Sequence, residues 1–189
     1  KPDIILCNKE ENTKDIVEAC QKICNVHVSD IFNIDDSLEL INQYGSIFDR
    51  EEESSKIVNK IKEEIESFKV FLQLKSSLRV AYFIWKNPWM VAANQTFINY
   101  LLNLNKFKNI YETQNRYPEI TLNNSTINKN VDIVLLSSEP FPFNESHKKE
   151  VQLFYPNANI VIADGEMFSW YGSRLIKAFS YFKNLRLNL

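Results

Sequence analysis

Glycine is scarce in this chain, with three residues in 189. A phosphate-cradling loop built on repeated glycines is excluded, and no GxSxG, HExxH or CxxC motif occurs. Histidine and cysteine are almost as sparse: only His27 and His147, with Cys7, Cys20 and Cys24 in no zinc or redox spacing. A transition metal held by the bare protein would need more imidazole or thiolate than that. His27 alternates with apolar residues in a strand pattern and His147 falls in the first turn of a helix pattern, so both read as structural or surface histidines. Cys20 and Cys24 lie in phase with Ile16 on a helical pattern, badly aimed for a disulfide, and read as small buried apolar residues. The unpaired cysteine count leans toward a reducing compartment without deciding it.

Excess charge of either sign is also missing. With 22 basic and 24 acidic residues the formal net charge is −2, so no electrostatic footprint for nucleic acid or an anionic membrane surface is present. No apolar run approaches the roughly 20 residues of a transmembrane helix. The opening KPDIILCNKEEN lacks the basic start and long apolar stretch of a signal peptide, and no initiator Met precedes it. The sequence therefore reads as a processed or partial chain.

What is present is an alternation of short apolar runs and helical patterns, the grammar of an α/β fold with parallel sheets. Asp3 to Cys7 reads as a strand, Thr13 to Cys24 as a helix, Val26 to Val28 as a second strand, and Ser37 to Tyr44 as a helix stopped by Gly45. From Asp49 to about Lys75 neither Gly nor Pro interrupts, and Ile57, Ile61, Ile65, Phe68 and Leu72 mark one apolar stripe. Acidic residues open that segment and Lys69 and Lys75 close it, the order a helix dipole favours. A helix of that length spans roughly 40 Å, long for a crossover within one small sheet, and fits a rigid connector between lobes. Arg79 to Ile84, Asp132 to Leu136 and Ile160 to Ala163 then read as strands, alternating with helices over Asn94 to Leu104, Asn144 to Phe154 and Ser173 to Phe182. The expected layout is a partial N-terminal α/β lobe over 1–47, a backbone helix over 48–76 and a C-terminal α/β lobe over 77–189.

Ligands of open parallel sheets bind beyond the carboxyl ends of the strands. The loops there read WKNPWMVA, SSEPFPFN and DGEMFSWYGS, and they hold all three tryptophans, Trp85, Trp89 and Trp170, with Phe141, Phe143, Phe168 and Tyr171; NRYPEIT adds Tyr117. Any one of these rings alone reads equally well as a plug over the end of the sheet. Together they imply a large apolar patch suited to a bulky, partly flat ligand, with Pro88, Pro118, Pro140 and Pro142 stiffening the loops. Glu139 and Glu166 both follow strands of one sheet and are the best pair of candidate catalytic acids, yet loop-mouth carboxylates are commonly just solvated. Binding is the expected role, not catalysis.

The stretches KPDIILCNKEEN, VAYFIWKNPWMVA, YPEIT, VDIVLLSSEPFPF and DGEMFSWYGSRL, in that order and with the long helix between, resemble the class III, helical-backbone periplasmic binding proteins. Cobalamin-binding-protein-like members, alongside haem and ferric-siderophore receptors of ABC importers, are the nearest likeness, over essentially the whole chain. The resemblance implies two Rossmann-like lobes bridged by one long helix, with ligand held between them and no intrinsic cofactor. It also implies that the N-terminal lobe is incomplete, since members carry roughly another half-lobe before KPD. By position, the ligand would meet Asn8, Lys9 and Glu10 from the first lobe and Trp85, Pro88, Trp89, Tyr117, Phe141, Phe168 and Trp170 from the second. The ligand would be a metal chelate (cobalamin, a ferric siderophore or haem), and the partners would be ABC importer permease subunits. Members present an acid on each lobe to the permease; here Ser169 stands at the second lobe's position, and Glu166, three residues earlier, is the candidate. The implied address is the periplasm or, as a lipoprotein, the cell envelope. The alternative is a cytoplasmic ligand-binding or carrier module of the same fold.

Overall fold

The apolar run of Ile4–Asn8 forms strand β1 and pairs in parallel with β2, Asn25–Ser29, in a register from Ile4 against Asn25 to Asn8 against Ser29. Helix α1, Lys14–Gln21, connects them, capped by Thr13, whose hydroxyl accepts from the Ile16 amide. The computed structural model describes residues 1–123 and 130–189. A sheet of two strands is too narrow to cover a helix, and none of the residues of α1 is buried. Ile16 and Ile23 accordingly stay exposed and Cys20 and Cys24 half-exposed, which corrects the expectation that these two cysteines are buried; only Cys7 is, and all three are free.

Helix α2 runs Ile34–Ile47 and does not stop at Gly45. It starts earlier than the apolar pattern indicates because Asn33 and Asp36 form a reciprocal capping box. Gly45 serves packing instead: a Cβ there would lie 2.3 Å from Ser54 Oγ, so its absence lets α2 cross close to the next helix. That helix, α3, spans Glu51–Leu72, its 22 residues rising about 33 Å. Val58, Ile61, Ile65, Phe68 and Leu72 form its buried stripe, with Ile57 at the half-buried margin. The Lys106 ammonium donates to the Leu72 carbonyl at 2.7 Å and the Lys75 carbonyl at 3.2 Å, adding a donor where the helix ends.

The second sheet is centred on β3, Leu78–Trp85, flanked in parallel by β7, Ile133–Ser137, and beyond it β8, Asn159–Ala163. On its other side β3 pairs with β5, Phe107–Asn109, in parallel along its first half. Along its second half it pairs antiparallel with β4, Trp89–Val91, and β4 in turn pairs with β6, Glu119–Ile120. β4 corrects the reading of WKNPWMVA as an open loop: Trp85 faces Met90 across a hairpin. The helices are α4, Phe97–Leu104; α5, Glu145–Gln152; the short α6, Gly165–Ser169; and α7, Leu175–Leu187, entered through a 3-10 turn at Gly172–Arg174.

The pleat of β3 divides the core. Val80, Tyr82 and Ile84 face one apolar cluster, Ala81 and Phe83 another. The first cluster is continuous from Ile31, Ile34 and Leu38 through α3 to Phe179 and Phe182 of α7, so the N-terminal segment shares a core with the large sheet. Phe68 lies at its centre, 5.6 Å from Phe179 and 6.0 Å from Phe182 between ring centroids. The result is an α/β fold with parallel-rich sheets.

Candidate ligand-binding cleft

A cavity of about 700 Å³ opens at the carboxyl ends of β1, β3, β7 and β8, within the size range of small-molecule sites. One wall is the loop after β1. The Asn8 side chain accepts from the Glu11 amide at 2.8 Å, while the Asn12 side chain accepts from the Asn8 amide at 2.9 Å. This tight turn presents Glu10 to Arg116, which donates to its carboxylate at 2.7 Å.

The facing wall comes from the large sheet. Trp170 Nε1 donates to Glu139 Oε1 at 2.8 Å, and the Ser169 hydroxyl lies 3.1 Å from the same oxygen. Glu139 can pack so closely on α6 because residue 165 is glycine: a Cβ there would sit 2.4 Å from Glu139 Cγ. Asp164 caps α6 by accepting from the Glu166 amide. Tyr171 completes this wall, its hydroxyl 3.4 Å from Ser29 Oγ and its ring edge-on to Phe97. The Gly172 amide donates to Ser37 Oγ at 2.9 Å, tying α2 as well as β2 to the segment after α6. Gly172 holds φ +74°, a left-handed conformation that costs glycine little. On the third side Tyr117 lies under the Arg116 guanidinium, 5.6 Å from its ring centre. Burial, reinforced by the Glu10 carboxylate, pushes the Tyr117 phenol up to about 12.

Of the residues singled out by sequence, Asn8, Glu10, Tyr117 and Trp170 line this cavity together. Lys9 turns away to Asp30, 2.5 Å from its carboxylate. Phe168 is fully buried between Tyr82 and Phe182, with ring centroids at 5.2 and 4.8 Å, and belongs to the core and not to the cleft. Its position in a five-residue helix, not an open loop, turns it inward. Trp85 packs edge-on against Phe141, and Trp89 stacks on Phe143 at 6.1 Å with Lys86 over its ring. Trp89 and Phe141 pack against the cluster on the opposite face of the sheet, and Trp85, Pro88, Trp89 and Phe141 all lie outside the cavity lining. The aromatic loops thus split between two faces; for Trp89 the reason is its place in strand β4, where alternate residues point in opposite directions.

Glu166 is not a free acid: it pairs with Arg174 at 2.8 Å, and that guanidinium lies over the Trp170 ring. Glu139 and Glu166 therefore have separate partners and do not form a paired acid. His147 closes a capping box with Asn144, and His27 Nε2 meets Gln43 at 3.1 Å. Sequence reasoning left Glu11, Ile84 and Ile98 out of the site, counted Tyr171 and Pro140 in the aromatic loops without naming them as ligand contacts, placed Ser169 only at the docking position, and treated Glu139 only as a possible acid catalyst. The Glu139–Gly165 apposition carries no local signal, since it joins loops after two different strands. Among the described residues no three His, Cys, Asp or Glu side chains converge to hold a metal ion.

Residues 1–154 match the periplasmic binding protein family. The chain belongs to that family. Its members are binding proteins and not enzymes, and the whole-chain resemblance seen in the sequence agrees with this. Solved structures share the fold. The periplasmic heme-binding protein RhuT of Roseiflexus sp. RS-1 superimposes with a TM-score of 0.84 at 9% identity, covering 100% of this chain and 76% of that one. The periplasmic vitamin B12 binding protein BtuF of Vibrio cholerae gives 0.77 at 12% identity, with 100% and 76% covered. A possible iron-binding, periplasmic solute-binding protein of Staphylococcus epidermidis gives 0.76 at 19% identity, with 99% and 76% covered. No curated protein matches the chain. No helix among the described residues is long and apolar enough to cross a membrane.

Proposed function

We propose that this periplasmic binding protein captures a bulky metal chelate of the cobalamin, ferric-siderophore or haem class and hands it to the permease of an ABC importer. The observation that carries the reading is the cavity of about 700 Å³ walled by Trp170, Tyr171 and Tyr117 at the strand ends. It is too large for a bare ion, and its rings offer flat apolar area at low rotamer cost. The layout that goes with this reading is an N-terminal lobe over 1–47, the backbone helix within 48–76 and a C-terminal lobe over 77–189, the ligand lying between the lobes. The continuous core through α2, α3 and α7 favours a receptor with little hinge motion. Glu166 is the acid assigned to the permease on the second lobe. Its pair with Arg174 is partly exposed, so exchanging that partner for a permease arginine costs little. Such a role places the protein outside the cytoplasm, in the periplasm or as a lipoprotein of the cell envelope.

The test is a fluorescence titration with cyanocobalamin, a ferric trihydroxamate and hemin. At least one is expected to quench tryptophan emission saturably, with the response lost in Trp170→Ala and kept in Trp89→Phe. Silence toward all three ligands, or an unchanged response in Trp170→Ala, would exclude the reading.

A further inference from the structure

The cavity lining is electrostatically one-sided. Glu10, Glu11 and Glu139 contribute carboxylates to it, and among the described residues no lysine or arginine lines it. Two arginines stand next to it, and both are engaged: Arg116 answers Glu10, and Arg174 answers Glu166. Lys9, the nearest lysine in sequence, is paired with Asp30. Glu11 and Glu139 have no cationic partner among the described residues.

Glu139 is held in a fixed pose. Its Oε1 takes the Trp170 indole N–H and faces the Ser169 hydroxyl, while Cγ lies in the space left by the missing Cβ of Gly165. Its Oε2 accepts from no protein donor among the described residues. A half-buried carboxylate held beside the Trp170 ring, with one oxygen uncommitted, is an acceptor awaiting a donor from a bound molecule.

We infer that this cleft sorts chelates by charge, taking cationic or neutral ones that carry N–H donors and rejecting polyanionic ones, with Glu139 as the residue that decides. The inference rests on the receptor reading above and narrows it. A protonated amine or amide on the ligand would bond Glu139 Oε2 while its apolar body lies on Trp170 and Tyr117. A ligand with free carboxylates or catecholates would meet Glu139 and Glu11 with no cation to compensate. Repulsion of the wrong ligand is one of the two routes to specificity, and it can discriminate where rings and apolar contacts bind all chelates alike. Glu139, being less exposed than Glu11, is less screened by salt and contributes more.

The experiment uses one chelate scaffold in three charge states: a linear ferric trihydroxamate with its terminal amine free, acetylated or succinylated. Affinity for the full chain is read from tryptophan quenching at low and high salt. The free-amine form is expected to bind roughly tenfold more tightly than the succinylated form, the acetylated form falling between, and high salt to narrow the gap. In Glu139→Gln, which keeps an acceptor for Trp170, the gap is expected to shrink to about threefold, and Glu11→Gln to act in the same direction but less. Succinylated chelate binding as tightly as the free amine, or a gap untouched by both substitutions, overturns the charge rule and leaves the receptor reading standing. No quenching by any of the three, nor by cyanocobalamin or hemin, overturns both.

Discussion

Glu10 and Arg116 lie 106 residues apart in sequence, and the Arg116 guanidinium donates to the Glu10 carboxylate at 2.7 Å. The pair ties the loop after β1 to the segment that leads into β6, on adjoining sides of the cleft. Together with Tyr171 against Ser29 and Gly172 against Ser37, it joins the N-terminal segment to the large sheet at the mouth of the cavity.

That pair is partly open to solvent, so its energetic weight is small. A double-mutant cycle on Glu10→Gln and Arg116→Ala, read by urea denaturation, is expected to give a coupling of about 0.2–1 kcal/mol. A coupling near 3 kcal/mol would mean that the pair is shielded from water, contrary to its exposure.

Alkaline pH probes Tyr117. Its phenol is raised to about 12 against an ordinary value near 10. The neutral form is therefore favoured in the folded state. Stability from this group is complete below about pH 10 and is lost as pH rises through 12, because the unfolded chain releases its proton first. Tyr117→Phe is expected to flatten the fall in denaturation midpoint between those pH values. An equally steep fall in the variant would place the burden on the other buried tyrosines, Tyr82 and Tyr155, whose phenols burial also raises.

The α3 stripe has unequal members. Phe68 is 0% exposed and packs on Phe179 and Phe182, so Phe68→Ala is expected to cost about 3–5 kcal/mol in chemical denaturation. Ile57→Ala, at the half-buried margin, should cost well under half of that.

Gly165→Ala tests the seat of Glu139. The added methyl would meet Glu139 Cγ at 2.4 Å and Ser137 Oγ at 2.5 Å, and Ser137 is buried at the end of β7. A loss of about 1–3 kcal/mol is expected, with a shift in Trp170 emission as its indole loses the Glu139 acceptor. Stability and emission both unchanged would show that Glu139 is free to move.

The chain order of strands and helices was legible locally. The stripe through Ile61 and Phe68 and the run at Ile133 are long or strongly periodic enough that the fold buries them as helix and strand, and Ile4 to Cys7 form the expected strand although only Cys7 of them is buried. Short elements escaped for the opposite reason. Strand β4 at Trp89–Val91 and helix α6 at Gly165–Ser169 carry too few residues for a period, and their form depends on β3 and on Glu139, which lie elsewhere in sequence. Gly45 looked like a helix stop because the need for a close crossing at Ser54 is invisible from one helix alone.

The site divides along the same line. Sequence determined that aromatic residues gather near the strand ends and that the chain lacks a glycine-rich phosphate loop and the imidazole and thiolate set of a bare transition-metal site. Composition and spacing are enough for both, and the family resemblance rests on the same loops. Only the tertiary structure decided which rings face the cavity, since the pleat and one turn of helix send Trp89 and Phe168 away and keep Tyr117 and Trp170. It also decided that Glu139 stands beside Trp170 with no cationic partner among the described residues, because charge balance is set by which arginines reach which carboxylates through space, and Arg116 and Arg174 are already committed to Glu10 and Glu166.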